Sequence, residues 1–255
     1  MTGKITLTAL EGLPLVAAGD DLADMIAEGL AQQRIDPKDS DILVLAQKIV
    51  SKAEGRIVDL NSVSPGARAL KIAEDIGKDA RVVELILSES KAIIRMKPGV
   101  MIVEHKRGWI MANAGIDASN VASGEGQQNV LLLPTDPDKS ATSLRTDLMA
   151  HCGCDLGVVI SDSFGRPWRL GTTGVAIGAA GLPSLWDRRG ERDLFGREML
   201  VTQQAIADEV ANAASLLQGQ GGEGRPVVHL RGLSFDADHR PASDLIRDAA
   251  EDMFR

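Results

Sequence analysis

Three short apolar runs constrain this chain most: Asp41 to Val50 (DILVLAQKIV), Val130 to Leu133, and Leu156 to Ser161 (LGVVIS). The first and last lack the polar alternation of a half-exposed strand and read as buried strands. All are far shorter than the roughly 18 apolar residues that mark a membrane span. Amphipathic stretches lie around them. Asp20 to Gln33 sets Leu22, Met25, Ile26 and Leu30 at helical spacing behind a capping Asp20 or Asp21. Helices are also expected at Pro65 to Ile76, at Ala80 to Ser90, from a cap at Asp138 or Ser140 to Cys152, at Val201 to Leu217, and at Ala242 to Phe254. Further strands are expected at Ile5 to Leu10, Lys91 to Met96, Val100 to His105, Trp109 to Ala112 and Pro226 to Leu230, and DSFGRPWRLGTTG from Asp162 reads as a loop. This mixture lacks the regular alternation of a doubly wound sheet, so the expected class is α+β or irregular α/β with a mixed sheet.

The 255 residues suit one large domain or two small, intimately joined ones. Aromatic residues are 3% and Tyr is absent, so the core has to be built from Ala, Val, Leu and Ile. A net charge of −8 argues against nucleic acid as partner, because a phosphate backbone requires a basic surplus. It leaves room for a small anion in a local basic pocket. Cys152 and Cys154 are awkwardly spaced for a disulfide and too few for a zinc site, which fits reduced thiols and a cytoplasmic location. The amino-terminal apolar stretch is too short and broken for a signal peptide.

Chemistry concentrates in a few polar segments. Asp117 lies in NAGIDASN (Asn113 to Asn120), and Asp162 follows the apolar Val158 to Ile160 with Ser163 beside it. Carboxylates at strand ends suit hard cations, and Mg²⁺ takes only one or two of them plus phosphate oxygens. Asp117 could equally close an Asx turn, and Asp162 cap a helix. GQGGEG (Gly219 to Gly224) lets backbone amides approach a phosphate, or simply ends a helix. Lys48 and Lys52 follow one apolar run, and Arg166 and Arg169 follow Asp162, a distribution suited to phosphate chemistry. Neither a P-loop nor a Rossmann fingerprint occurs. Spacing alone points to a metal-dependent, phosphate-handling enzyme.

Taken in order, EGLPLV, SKAEGRI (Ser51 to Ile57), NAGIDASN, LLLPTDPD, ISDSFGRPWRLGTTGVAIG and DLFGREM resemble the coenzyme F420-0:L-glutamate ligase family from about Thr6 to Gly232. The resemblance implies a single ligase domain over residues 1–255, in a mixed-sheet fold that is not P-loop, Rossmann or ATP-grasp, without the carboxy-terminal nitroreductase-like domain of some members. It implies a homodimer that joins L-glutamate to F420-0, and adds further γ-linked glutamates, with GTP as co-substrate and GDP and phosphate as products. It further implies Mg²⁺ or Mn²⁺, two ions per site, with K⁺ as an additional cation. Residue by residue, the implied metal ligands are Asp117, Asp162, Ser163 and Gln220. The implied GTP contacts are Leu13, Pro14, Leu15, Val16, Gln47, Lys48, Lys52, Asn120, Gly219, Gly221, Gly222 and Gly224, and the implied catalytic residues are Asp117, Asp162 and Lys52. Two positions depart from the family pattern. Gln47-Lys48 stands where relatives often show Ser-Thr, and Gln220 where they often show an acid. Two other readings are a ligase of the same family acting on a different phosphorylated carboxylate, and a catalytically silent protein that binds the deazaflavin coenzyme.

Overall fold

The computed structural model describes residues 3–122, 124 and 126–253. In chain order its strands are β1 (Thr6–Ala9), β2 (Ile42–Ala46), β3 (Ile57–Asp59), β4 (Ser90–Lys97), β5 (Val100–His105), β6 (Ile110–Ala112), β7 (Asn129–Leu131), β8 (Gly157–Arg166), β9 (Arg169–Ala180), β10 (Trp186–Asp187), β11 (Gln203–Gln204) and β12 (Val227–Arg231). Its helices are α1 (Leu22–Gln32), α2 (Gln47–Ala53), α3 (Ala67–Ile76), α4 (Ala80–Ser88), α5 (Pro137–Cys152) and α6 (Ile206–Gln218).

The main sheet runs β1-β12-β2-β8-β9. β2 and β8 are parallel, whereas the other neighbours are antiparallel. Both faces of its centre are buried, which is why the central strands read as unbroken apolar runs. Leu43, Leu45, Val158 and Ile160 pack with α1 and α5 on one face. Ile42, Val44, Val159 and Val228 pack with α6 on the other. A parallel pair needs a crossover, and here the crossover is a second unit. It contains the ribbon β3-β7, the meander β4-β5-β6, α3 and α4. Ile72, Ile76, Val83, Ile86, Met101 and Val103 form its own core.

Strand β9 brings both helical layers close. A Cβ on Gly174 would lie 2.3 Å from the Ala211 carbonyl oxygen of α6, and one on Gly178 would lie 2.3 Å from the Pro137 carbonyl oxygen of α5. The two glycines serve opposite faces because the register shifts between Ile160↔Gly178 and Ser161↔Ala176, a bulge at Ile177. Carboxylates take up amides along this edge strand. The Ala176 N–H donates to Asp208 (2.9 Å) and the Ala179 N–H to Asp138 (2.9 Å).

Several expectations need correction. The run from Asp41 to Val50 is not one strand: it turns into α2 after Ala46, because continuous apolar character fits a buried helix as well as a buried strand. The segment from Asp162 is not a loop but the outer half of the β8–β9 hairpin, closed at Pro167-Trp168 with Trp168 at φ 58°. It projects beyond the helical layers and is wetted on both faces, so no apolar alternation marks it. The helix expected from Val201 begins at Ile206, since Gln203 and Gln204 pair with Asp187 and Trp186. The terminal stretch from Ala242 forms only a 3-10 turn, Ala242–Leu245, whose Ala242 and Ser243 amides are taken by Asp138. Phe254 lies outside the described residues. Asp138 is therefore occupied, and Asp136 caps α5 in place of Asp138 or Ser140, while Asp21 caps α1.

Where the two units meet, His105 is 3% exposed and its ring lies 5.0 Å from that of Trp109. Its Nδ1 accepts the Arg107 N–H (3.0 Å), so the neutral ring carries its hydrogen on Nε2, which has no hydrogen-bond partner. Burial first, and then the charges of Arg107, Lys106, Arg56 and Lys91, push its pKa down to about 4. An unfolded chain takes up this proton near the ordinary value and the native protein does not. The neutral ring therefore contributes stability fully above about pH 6.5, and that contribution is lost as pH falls toward 4. His105→Phe keeps the ring stack, so it is expected to remove on the order of 3 kcal/mol of the stability difference between pH 7.5 and 4.5, measured by urea unfolding. An unaltered pH dependence would contradict this assignment.

Candidate active site

The site forms at the carboxyl ends of the parallel strands. The last pair of the β2–β8 ladder is Ala46↔Ser161, so Gln47 and Lys48 of α2 emerge beside Asp162. Gln47 is buried and accepts from the Ser51 hydroxyl (2.8 Å), close enough to Asp162 to favour its charged form. From the second unit, the loop after β6 returns Asp117 by bridging to Leu131. Lys48 Nζ reaches Asp117 Oδ2 (2.7 Å), Ser119 Oγ (2.5 Å) and the Ser119 carbonyl (3.2 Å). The Ser119 amide and hydroxyl both donate to Asp117, at 2.8 and 2.6 Å. Asp117 thus closes an Asx turn and faces the site at the same time. Lys52, one helical turn after Lys48, donates to the Asn120 carbonyl (2.8 Å), and the Asn120 side-chain Nδ2 donates to the Gly221 carbonyl (3.2 Å).

The glycine loop therefore closes one side. Gly219 ends α6 at φ 74°, and Gln220 Oε1 accepts from Thr172 of the β9 ribbon (3.2 Å). Glu223 folds back to accept from the Gly221 N–H (2.8 Å), and Arg225 pairs with Glu11 (2.8 Å). That pair anchors the start of the Leu13-to-Val16 stretch, and the Gly19 N–H donating to Ala53 fixes its end on α2. Leu13 and Val16 pack on the core, while Leu15 is exposed.

Most of the expected site residues thus converge. Lys48, Asp117 and Ser119 form one hydrogen-bonded group whose charges act on the neighbouring Asp162, and Lys52, Asn120 and Gly221 form a second one. Ser163 follows Asp162 on an extended strand, where successive side chains face opposite sides, so it is the expected ligand least directed at Asp117. Arg166 and Arg169 lie out along the ribbon at its closing turn. Asp162 lies within β8, where the strand leaves the buried sheet, and not at the start of a helix, so it caps nothing and is not at a strand end. Sequence reasoning missed Ser119 and Thr172. The Asp-x-Ser spacing could have revealed Ser119, but nothing local marks Thr172.

The electrostatics separate the two carboxylates. Burial pushes Asp162 up to about 6, a rise that the Ser163 amide and Lys48 reduce and Asp117 reinforces. Burial also opposes charge on Asp117, yet hydrogen bonds from Lys48 and Ser119 outweigh it and hold the carboxyl below the usual range. Burial, then Lys48, lowers the Lys52 ammonium.

A model of the F420-0:gamma-glutamyl ligase family matches residues 12–232, which takes in every residue of this cluster. The chain belongs to that family. It is 47% identical to a coenzyme F420:L-glutamate ligase of Methanothermobacter thermautotrophicus, covering 98% of this chain and 99% of the relative. The ligases of the same name from Methanopyrus kandleri and Methanocaldococcus jannaschii are 44% and 41% identical, each covering 99% of this chain and 100% and 97% of the relatives. Among the described residues no helix is long and apolar enough to cross a membrane.

The raised Asp162 has a stability consequence. A carboxyl whose folded pKa lies above its unfolded value costs stability once pH rises past it, because the native state then holds a poorly solvated charge. Asp162→Asn is therefore expected to stabilise the metal-free protein at pH 7.5, by about 1–3 kcal/mol, with the gain vanishing near pH 4. A variant less stable than the parent at pH 7.5 would show that the carboxylate is well accommodated.

Proposed function

We propose that this family member is a GTP-dependent acid–amino-acid ligase that joins L-glutamate to F420-0, adding further γ-linked glutamates. The convergence of Asp117, Asp162, Lys48 and Lys52 beside a glycine loop carries this reading, within a chain similar over nearly its whole length to coenzyme F420:L-glutamate ligases. A free carboxylate is a poor electrophile. Phosphoryl transfer from GTP to the acceptor carboxylate releases GDP and gives an acyl phosphate, and the glutamate amine then displaces phosphate to form the amide.

The residues present fit a divalent cation. Asp117 and Asp162 offer hard oxygen ligands, and nucleotide phosphate oxygens can complete a Mg²⁺ or Mn²⁺ shell. Ser163 and Gln220 belong to the same proposed environment, and a K⁺ ion would draw on the same kind of oxygen donors. A bound divalent ion would neutralise charge that builds up on the phosphates. Lys52, held on the Asn120 carbonyl, is placed to neutralise phosphate charge, and the glycine loop supplies backbone donors. Leu13 to Val16, Gln47, Lys48 and Asn120 line the proposed nucleotide path. Two carboxylates fill only part of a divalent ion's shell, so nucleotide is expected to tighten metal binding.

We further propose a homodimer. Leu194 and Phe195 are 99% and 89% exposed, and Leu200 and Val201 are 72% and 84% exposed, a contiguous chain segment with no cover in the single subunit. Such apolar exposure marks a protein contact. Light scattering at micromolar concentration is expected to give twice the subunit mass of 27.1 kDa; a monomer would exclude a stable dimer.

Incubation with GTP, Mn²⁺, L-glutamate and F420-0, followed by mass spectrometry, tests the activity. The expected product carries one or more added glutamates, with stoichiometric GDP. Asp117→Asn and Asp162→Asn are each expected to abolish it while leaving the fold intact, since loss of one metal carboxylate removes several kcal/mol of charge stabilisation. Near parental turnover in either variant at saturating metal would overturn the assignment.

A further inference from the structure

We propose that the Lys48 ammonium is a built-in substitute for a second divalent cation, so that this chain takes one divalent ion per site. The inference rests on the metal-dependent ligase reading above and corrects its expected count of two ions. Lys48 Nζ is held by three oxygens, those of the Asp117 carboxylate (2.7 Å), the Ser119 hydroxyl (2.5 Å) and the Ser119 carbonyl (3.2 Å). These are the donors a small hard cation would use. The same charge acts on both Asp162 and Lys52, so it sits among all the charged groups of the site.

Folding does not account for this contact. An ion pair whose partners are 27% and 43% exposed contributes about 0–1 kcal/mol. With Lys48 on Asp117, the neighbouring donors do not complete a second metal shell. Gln220 is neutral, and its Oε1 is engaged by the Thr172 hydroxyl. Glu223, the acid of the glycine loop, is turned onto the loop's own Gly221 amide. Asp162 and Asp117 can share one divalent ion with nucleotide oxygens, and Lys48 supplies the remaining positive charge from the protein. A lysine so placed acts as a point charge toward phosphate, a role its flexible stem and three donors permit.

Counting bound Mn²⁺ by electron paramagnetic resonance tests this, because the readout does not require turnover. The count is made on the nucleotide-free protein and again with a non-hydrolysable GTP analogue. With the analogue, the parent is expected to bind one Mn²⁺ per chain and Lys48→Gln two, as the freed Asp117 accepts a second ion. Without nucleotide, Lys48→Gln is expected to bind one Mn²⁺ more than the parent at the same free concentration. Lys48→Arg, which keeps the charge, is expected to retain the parental count, and Lys48→Gln combined with Gln220→Glu is expected to bind the second ion at least about tenfold more tightly than Lys48→Gln alone, since ligand charge tunes affinity. Two ions in the parent, or equal counts in the parent and Lys48→Gln, would overturn the proposal. If the analogue fails to bind, the GTP reading falls, and the nucleotide-free counts still decide the role of Lys48. Unchanged circular dichroism of each variant confirms that the counts come from folded protein.

Discussion

The parallel register between β2 and β8 is the constraint on which the site depends. Pairing Ala46 with Ser161 ends the ladder with Gln47-Lys48 and Asp162 side by side, so one backbone alignment delivers the amide, the ammonium and the carboxylate together. A parallel pair cannot be closed by a tight turn. The crossover that this chain uses is large enough to carry its own core, and its far loop returns Asp117 and Asn120 to the same place. The two cores are thus linked through the chemistry as well as through the buried contacts around His105.

Charge explains how the arrangement holds together. Lys48 sits where positive charge is wanted against Asp117, and Glu223 accepts from a glycine-loop amide that could otherwise face an anion. Neither contact is buried in the core, so on the proposed reading an incoming nucleotide would displace Glu223 and recruit the lysines without disturbing the core. Asp162 differs: it is partly desolvated and raised to about 6, and its charge becomes favourable only when positive charge approaches. Stability is given up at this residue for the sake of the site.

Much of this was legible in the sequence. The apolar runs located β2 and β8, and helical spacing located α1, α3 and α4 to within a few residues. Asp117, Asp162, Lys48, Lys52 and the glycine loop stood out by their places beside apolar runs or a helix end, each with a structural reading as well, and Asn120 stood out only through the family resemblance. The outer hairpin was hidden because a ribbon wetted on both faces shows no alternation, and its glycines read as loop signals. The start of α6 was hidden because Gln203 and Gln204 pair with a partner strand distant in sequence. Thr172 depends on the return of a remote loop, which no local pattern encodes, whereas the Ser119 contact lies in the Asp-x-Ser spacing itself. The charge logic of Lys48 required the distance to Asp117, since spacing alone makes it one more surface lysine.

The central claim is that phosphoryl transfer activates the acceptor carboxylate at this site. The most direct measurement uses F420-0 whose reacting carboxylate is labelled with oxygen-18, with GTP and L-glutamate as co-substrates. Displacement of phosphate from an acyl phosphate leaves one labelled oxygen in each phosphate released, and mass spectrometry of that phosphate reads it. The account predicts one oxygen-18 per phosphate for each amide formed; amide formation with unlabelled phosphate would contradict it.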